Sequence, residues 1–248
     1  MPYRAVLFDL FDTLVLFDRD RLPLVEVNGK TLRSTAGLLH AVVERHFPGI
    51  SLDNVHSGLA ESWREAERER AIEHREVAAG VRFAHFLKCV DIDPATCPAG
   101  LVQTLVDTHR RELGKAVEFP AHHGPLLRKL AARYRLAVVS NFDYTPTALD
   151  ILERAGIASL FEAIVVSDDI GWRKPHARIF EATLARLDLT PAAALFVGDR
   201  LDIDVGGAQA LGMDAVWVNR EAAPLPPGVP APQFDIRDLA ELAEILGI

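Results

Sequence analysis

Downstream of Pro120 the sequence alternates between short apolar runs and segments of helical period. The apolar runs lie at residues 136–140, 163–167, 194–197 and 214–218. Amphipathic segments lie between them, with Pro146 in the first turn of one predicted helix and Gly156 at its end. Repeated strand–helix units of this kind predict a parallel sheet with helices on both faces.

An earlier apolar run, Ala5–Leu10, predicts one more buried strand that runs out into a polar loop. After it, Asn28-Gly29 between two alternating segments predicts a hairpin near residues 24–33. Residues 34–113 have helical period and predict a bundle of four helices. We therefore predict an α/β fold with a doubly wound, Rossmann-like parallel-sheet core (1–15 plus 117–248). An α-helical bundle that includes the short hairpin flap is inserted into it (16–116).

The composition excludes several classes of protein. Of 248 residues, 49% are hydrophobic and 25% charged, as in an ordinary folded protein. The net charge of −8 gives no general attraction for a phosphate backbone, so nucleic acid is not an expected partner. No apolar run approaches the roughly 20 residues of a membrane span, and the N-terminal segment lacks a secretory cleavage site. We expect a cytoplasmic monomer or homodimer with free thiols at Cys89 and Cys97.

Polar residues follow four of the predicted strands. They are Asp9, Asp12 and Thr13; Ser140 and Asn141; Asp168 and, further on, Lys174; and Asp199 and Asp204. Because ligands bind beyond the carboxyl ends of parallel strands, we expect these side chains to converge. Asp9 and Asp199 offer the oxygen ligands that Mg²⁺ prefers, and Lys174 offers a positive charge. The set suits metal-assisted chemistry on a phosphate, with a carboxylate as the nucleophile.

Four motifs in this order resemble those of the haloacid dehalogenase superfamily, over essentially the whole chain. They are FDLFDTL (8–14), VVSNFD (138–143), RKP (173–175) and FVGDRLDID (196–204). The resemblance implies that Asp9 is the nucleophile, that Ser140 with Asn141 holds the transferring group, and that Lys174 stabilises Asp9 and the developing charge. Thr13 belongs to the first motif, and we expect it to bind substrate together with Asn141.

The resemblance also implies a cofactor and a role for the inserted bundle. Mg²⁺ would be bound by Asp9, the main-chain carbonyl of Phe11 and Asp199, and Asp204 would support the metal site. The bundle would be a mobile cap that closes over the core and selects the substrate, which we expect to be a phosphorylated metabolite.

One position departs from the pattern of the family's phosphatases. Two residues after the nucleophile those enzymes have an Asp that protonates the leaving group and later activates water, and in this chain that residue is Phe11. Loss of a general acid/base costs typically 10²–10⁴-fold in rate. We therefore expect slow turnover of alkyl phosphates and a preference for aryl or acyl phosphates, whose leaving groups need little protonation.

Two alternatives remain open at this point. The first is a metal-independent 2-haloacid dehalogenase, because members of the family with that activity also have an aromatic residue two positions after the nucleophile. The second is a catalytically silent binding protein in which Phe11 marks a decayed site. The retained Gly198-Asp199 and Asp204 speak against the first, and the intact remainder of the motifs speaks against the second.

Two features outside the four motifs are further candidates. Arg33, which leads from the hairpin into the bundle, is a candidate ligand of a substrate anion. The adjacent His122-His123 pair has no neighbouring Cys or His in the sequence that would complete a zinc pattern, and we expect it to be a loop at a helix entry.

Overall fold

The computed structural model describes residues 3–248, which divide into two compact units. One unit combines the described part of Met1–Phe17 with Glu118–Ile248, and the other is Asp18–Val117. The second unit is thus one continuous insertion in the chain of the first.

Short strands and α-helices follow one another along the described residues. The strands are β1 (Ala5–Phe8), β2 (Leu16–Phe17), β3 (Leu24–Val27), β4 (Lys30–Arg33), β5 (Val117–Glu118), β6 (Arg135–Ser140), β7 (Ala163–Val166), β8 (Ala194–Gly198), β9 (Asp214–Val218) and β10 (Phe234–Ile236). The α-helices are α1 (Ala36–Glu44), α2 (Leu52–Glu73), α3 (Ala79–Cys89), α4 (Leu101–Lys115), α5 (His123–Ala131), α6 (Thr145–Arg154), α7 (Ser167–Ile170), α8 (Ala177–Arg186), α9 (Gly206–Ala210) and α10 (Leu242–Leu246).

The larger unit is built on a six-stranded sheet with the strand order β10-β9-β8-β1-β6-β7. All of its pairings are parallel, which confirms the predicted α/β, doubly wound class. Each residue of β1 is fully buried, as expected for a central strand covered by helices on both faces. Phe8 pairs with Val138 of β6 on one side and with Val197 of β8 on the other. The chain order reverses across β1, so the carboxyl ends of β1, β6 and β8 meet at a switch point.

The core beneath this edge is close-packed apolar surface. Leu7, Val139 and Phe196 from the sheet cluster with Phe180 of α8, and the Phe180 and Phe196 rings meet edge to face at 5.2 Å between centroids. Burying one such side chain contributes about 1.5–3 kcal/mol, so this layer fixes the strand ends that carry the polar residues.

Two details differ from the sequence prediction. The short strand β10 was not predicted, because three residues after a proline-rich stretch carry almost no periodic signal. A π-helical turn at Leu201–Val205, in which Val205 N donates to Arg200 O at 3.1 Å, precedes α9 and was not predicted either. A wider turn of this kind is frequent at functional sites, and this one contains Asp204.

The smaller unit contains the hairpin and four helices. Asn28 and Gly29, which link β3 to β4, both have positive φ, as a tight hairpin turn requires. Helix α2 packs against α1 and α3, and α4 packs against the same two helices, so the four form a closed bundle. Within residues 3–248, no helix has both the length and the apolar character needed to cross a bilayer.

Candidate active site

The candidate site is assembled from the ends of neighbouring strands. Asp9 follows β1 directly, and its backbone N–H donates to Val197 O in β8 at 2.9 Å. Ser140 is the last residue of β6, and Asp199 follows β8. The pairing of the strands thus fixes the positions of Asp9, Ser140 and Asp199, because β1, β6 and β8 end at the same edge of the sheet.

Lys174 is the centre of a buried ionic cluster at this edge. Its Nζ lies 2.5 Å from Oδ1 of Asp9 and 2.8 Å from Oδ1 of Asp204. Lys174 is 2% exposed, Asp204 1% and Asp9 8%. Burial lowers the pKa of Lys174, but Asp204 and Asp9 together outweigh it and leave the pKa above its ordinary value. The lysine therefore stays charged and holds the two carboxylates in place.

One buried cation does not neutralise all the acidic groups. Burial, the largest cause, raises the pKa of Asp9 to about 7, with Asp204 and Asp199 raising it further and Lys174 lowering it. The pKa of Asp199 is raised to about 6, again first by burial and then by Asp204 and Asp12. A second cation at this point would relieve both effects, since it would favour the charged form of each carboxylate.

The same carboxylates form a donor set that fits Mg²⁺. Ligand atoms of Asp9, Asp199 and Asp204 all lie within 4.8 Å of one another. Lys174 contacts Oδ1 of Asp9, which leaves the other carboxylate oxygen available to a metal. Three carboxylates and no nitrogen or sulfur ligand suit a hard cation that keeps several waters.

Glycine at position 198 allows this close approach. A Cβ there would lie 2.5 Å from both Cβ and Oδ2 of Asp204, closer than two nonbonded atoms can be. Asp204 Oδ2 also accepts a hydrogen bond from Arg200 N at 3.1 Å, so its carboxylate is fixed from the backbone side.

Two buried hydroxyl groups, of Ser140 and Thr13, lie at the same edge of the sheet as the carboxylates. Ser140 is fully buried, and its Oγ has no hydrogen-bond partner among residues 3–248. A buried hydroxyl left unpaired costs about 1–3 kcal/mol, so it is available to a ligand that enters the site. Thr13, also fully buried, contacts Asp199 at 3.5 Å between its Oγ1 and Oδ1.

Asn141 makes its contacts with the main chain of Lys174. Its Nδ2 donates to Lys174 O at 2.9 Å, and its Oδ1 accepts from Lys174 N at 2.7 Å. Both ends of the carboxamide are thus engaged, and in this structure Asn141 positions Lys174. Its predicted contact with substrate stays a prediction.

Phe11 occupies the position that departs from the phosphatase pattern. Its ring packs against Phe142, which follows β6, with 4.9 Å between the centroids. The neighbouring Asp12 is exposed, has φ of 55° and accepts a hydrogen bond from Phe17 N at 3.1 Å. Asp12 is thus committed to the turn of the loop, and an aromatic pair stands where the phosphatase pattern has an acid. The carbonyl of Phe11 as a metal ligand stays a prediction.

Sequence reasoning missed Arg220, which follows β9. Its guanidinium donates to the carbonyl oxygens of Asp12 and Thr13, the latter at 3.1 Å, and so braces the loop after β1. Its position directly after a strand of the same sheet was the available signal, since the other site residues were found in that way.

Arg33 belongs to the smaller unit. Its Nη1 donates to Leu22 O at 3.0 Å, a contact that ties the end of β4 to the segment before β3. The predicted contact of Arg33 with a substrate anion stays a prediction.

Comparison with known proteins gives matches over most of the chain. Residues 50–218 match the model of a family described as haloacid dehalogenase-like hydrolase. A glyceraldehyde 3-phosphate phosphatase of Methanothermobacter thermautotrophicus is 34% identical over 117 residues, which are 47% of this chain and 51% of that protein. This match therefore spans about half the length of the relative. A glyceraldehyde 3-phosphate phosphatase of Methanopyrus kandleri is 27% identical over 217 residues, which cover 88% of this chain and 84% of that protein.

Solved structures of two kinds have the same architecture. The putative HAD-hydrolase YfnB from Bacillus subtilis, bound to magnesium, superposes with a TM-score of 0.62 at 24% identity, covering 99% of each chain. A 2-haloacid dehalogenase from Pseudomonas syringae pv. Tomato superposes with a TM-score of 0.74 at 23% identity, covering 99% of this chain and 98% of the other. At such identities the likeness shows the fold alone, so the residues of the site must distinguish the two chemistries.

Proposed function

Because this chain belongs to the haloacid dehalogenase-like hydrolase family, it is a hydrolase, and we propose that it hydrolyses a small phosphorylated compound. The observation that carries the proposal is the all-oxygen cluster of Asp9, Asp199 and Asp204 around Lys174. Displacement of a halide by a carboxylate requires only the nucleophile. Further carboxylates beside the nucleophile supply the oxygen ligands with which a metal is held next to it.

In the proposed reaction Asp9 is the nucleophile. A carboxylate oxygen of Asp9 attacks phosphorus, the bond from phosphorus to the leaving oxygen breaks, and an aspartyl phosphate forms. The leaving group departs with the bonding electron pair and takes up a proton. Water then attacks the intermediate, which releases inorganic phosphate and regenerates the Asp9 carboxylate.

The other side chains stabilise charge on the phosphoryl group. Lys174 orients Asp9 and favours its ionised form, and Ser140 Oγ donates to a phosphoryl oxygen. We propose that Thr13 and Asn141 line the same subsite. Mg²⁺ bound by Asp9, Asp199 and the carbonyl of Phe11, with Asp204 in support, would neutralise phosphoryl oxygens and position the group for in-line attack.

Phe11 narrows the substrate class. An aromatic ring can neither protonate a leaving oxygen nor take a proton from water, so leaving groups that depart as stable anions are favoured. Acyl and aryl phosphates meet this condition and simple alkyl phosphates do not. The contact with Phe142 holds the ring, and together the two rings offer an apolar surface to the leaving group.

The size of the substrate is inferred from the relatives and from the insertion. Relatives that act on glyceraldehyde 3-phosphate support a small phosphorylated metabolite. We propose that the helical unit is a mobile cap that selects the substrate, and that Arg33 contributes a positive charge to it. No larger partner is required by this reaction.

Phe11 also supports a second candidate, a metal-independent 2-haloacid dehalogenase. Halide needs no protonation on leaving, and Asp9 can displace it from carbon to give an ester that water hydrolyses. This candidate gives no role to Asp199 as a metal ligand, which is why phosphoryl transfer is preferred.

The first experiment is p-nitrophenyl phosphate hydrolysis by the full chain, with Mg²⁺ and with EDTA. We expect Mg²⁺-dependent release of p-nitrophenol that Asp9→Asn abolishes. Asp202→Asn is the matched control, because that exposed carboxylate pairs with Arg200 at the surface and is not one of the three clustered carboxylates. Acetyl phosphate and an alkyl phosphate then test the leaving-group preference.

Release of halide from a 2-haloacid in EDTA, without phosphatase activity, would overturn the proposal in favour of the second candidate. Turnover of neither substrate class would overturn both and indicate a binding protein.

A further inference from the structure

A second group of potential metal ligands lies in the larger unit and contains no residue of the four motifs. It consists of His122 and His123 at the start of α5 and Asp238, which precedes α10. One ligand atom from each lies within 4.8 Å of the other two. We propose that these three side chains form a site for a divalent transition-metal ion of the zinc class.

His123 is held in the form that a metal requires. Its Nδ1 lies 2.8 Å from Leu14 O, and because a carbonyl oxygen can only accept, Nδ1 carries the proton. The lone pair is therefore on Nε2. Metal-binding histidines are commonly oriented in this way, by donating the other ring N–H to a carbonyl or carboxylate. Only 1% of His123 is exposed, so the surrounding protein fixes the position of the ring.

Asp238 is fixed by its role at the start of the C-terminal helical segment. Its Oδ1 accepts from Ala240 N at 2.8 Å, and its own N–H donates to Glu241 Oε1 at 3.0 Å. The first bond orients the carboxylate of Asp238 before any metal binds, and the second fixes the main chain of the same residue. The chain therefore provides two ligands, His123 and Asp238, whose positions are set by other interactions.

His122 completes the group at the surface. Its Nε2 lies 3.0 Å from both Asp238 carboxylate oxygens. Two ligands of a tetrahedral zinc ion with bonds of about 2.0 Å are about 3.3 Å apart, so a small outward movement admits the ion. The metal would take the place of the direct contact between His122 Nε2 and the Asp238 carboxylate.

The donor set selects the kind of metal. Two imidazole nitrogens and one carboxylate suit Zn²⁺ and its neighbours and not Mg²⁺, which prefers oxygen. One carboxylate offsets only part of the charge of a divalent ion, and Arg220 is near enough to lower the pKa of His123. The site should therefore bind its metal with moderate affinity and keep an open position for water.

The test is calorimetric titration of Zn²⁺ into the chelator-treated full chain in excess Mg²⁺, which occupies oxygen-only sites. We expect one Zn²⁺ per chain, bound at least 10-fold more weakly by His122→Ala and by Asp238→Asn. Asparagine is also a good helix-start residue, so the second variant tests ligation without loss of the cap. His46→Ala, an exposed histidine of the other unit, is the control and should bind as the parent does.

Titration of Co²⁺ gives an independent readout, since its visible absorption reports nitrogen ligation in a low-coordinate site. The band should be present in Asp199→Asn and lost in His122→Ala. The proposal is overturned by an absence of Zn²⁺ binding under excess Mg²⁺. Equal affinity in His122→Ala and the parent also overturns it.

Discussion

Lys174 bridges two carboxylates from different strands: its Nζ is 2.5 Å from Oδ1 of Asp9 after β1 and 2.8 Å from Oδ1 of Asp204 beyond β8. Asn141, from the end of β6, hydrogen-bonds the backbone of the same lysine on both sides. Three strand ends of the candidate site are thus joined through one buried cation. Its removal should affect the fold and the chemistry together.

The first prediction concerns Lys174→Met. Removal of one partner from a buried ion pair costs about 3–5 kcal/mol, because the remaining charges are left without compensation. We expect that loss in the free energy of unfolding by urea, and at least a ~100-fold fall in kcat for p-nitrophenyl phosphate. Lys129→Met, at an exposed position of α5, is the control. Lys174→Met/Asp204→Asn should recover part of the stability and none of the activity; full activity in Lys174→Met would contradict the assigned role.

The second prediction concerns Phe11→Asp. A carboxyl group at this position supplies the missing general acid, which is worth typically 10²–10⁴-fold for a poor leaving group. We expect turnover of an alkyl phosphate to rise by at least ~10-fold, and hydrolysis of p-nitrophenyl phosphate to change little. Phe11→Asn introduces a side chain of the same shape as Asp that has no acidic proton, so its turnover of the alkyl phosphate should not rise. Equal effects of the two variants would show that the loss of the ring, and not the acid, matters.

The third prediction concerns Gly198→Ala. The new Cβ would lie 2.5 Å from Asp204 Cβ and Oδ2, so Asp204 must move or the strand must shift. We expect a destabilisation of about 1–3 kcal/mol and a weaker response of activity to Mg²⁺. At Gly80 in α3 a Cβ meets nothing within 4 Å, so Gly80→Ala should be neutral or stabilising by less than about 1 kcal/mol. The measurement is the melting temperature of each variant relative to the parent. An unchanged melting temperature in Gly198→Ala would contradict the prediction.

The fourth prediction is a pH dependence in the helical unit. Burial, and then Arg110 and Arg82, lower the pKa of His109 well below 6.5, and its Nδ1 lies 2.7 Å from Thr35 Oγ1. The unfolded chain takes up a proton at His109 below pH 6.5 and the folded chain does not. The resulting stability is therefore complete above pH 6.5 and falls by about 1.4 kcal/mol per pH unit below it. His109→Gln should reduce the slope between pH 6.5 and 5.5 by the contribution of this one group, and the slope that is left includes that of His123, whose pKa burial also lowers. His46→Gln should retain the slope of the parent.

Much of the fold was accessible from the sequence because its signals are local. Each central strand is a continuous apolar run, and Asp9, Ser140 and Asp199 each stand at the end of one, so the sheet rule alone brings them to one edge. Ser140 and Lys174 are buried there with the acidic residues. The rule that ligands bind at the carboxyl ends of parallel strands applies however far apart those strands lie in the sequence.

The missed features depend on tertiary contacts between distant residues. Asp238 meets His122 across 116 positions, so no local pattern could have paired them. Arg220 acts on the carbonyls of Asp12 and Thr13, and main-chain acceptors are the same whatever the residue. The contacts of Asn141 with Lys174 are likewise to backbone atoms. The sequence therefore predicted which side chains lie together at the edge of the sheet. It did not predict which of them hydrogen-bond to one another or to the main chain.

The insertion of a whole helical unit after β1 has a consequence for synthesis on the ribosome. Phe8 pairs with Val138 and Val197, so β1 emerges from the ribosome well before either of its sheet partners. The bundle of residues 18–117 has mainly local contacts and can fold in the meantime. Until then Ala5–Phe8 is an exposed apolar segment of high strand propensity, and a chaperone that shields it would prevent its pairing with other chains.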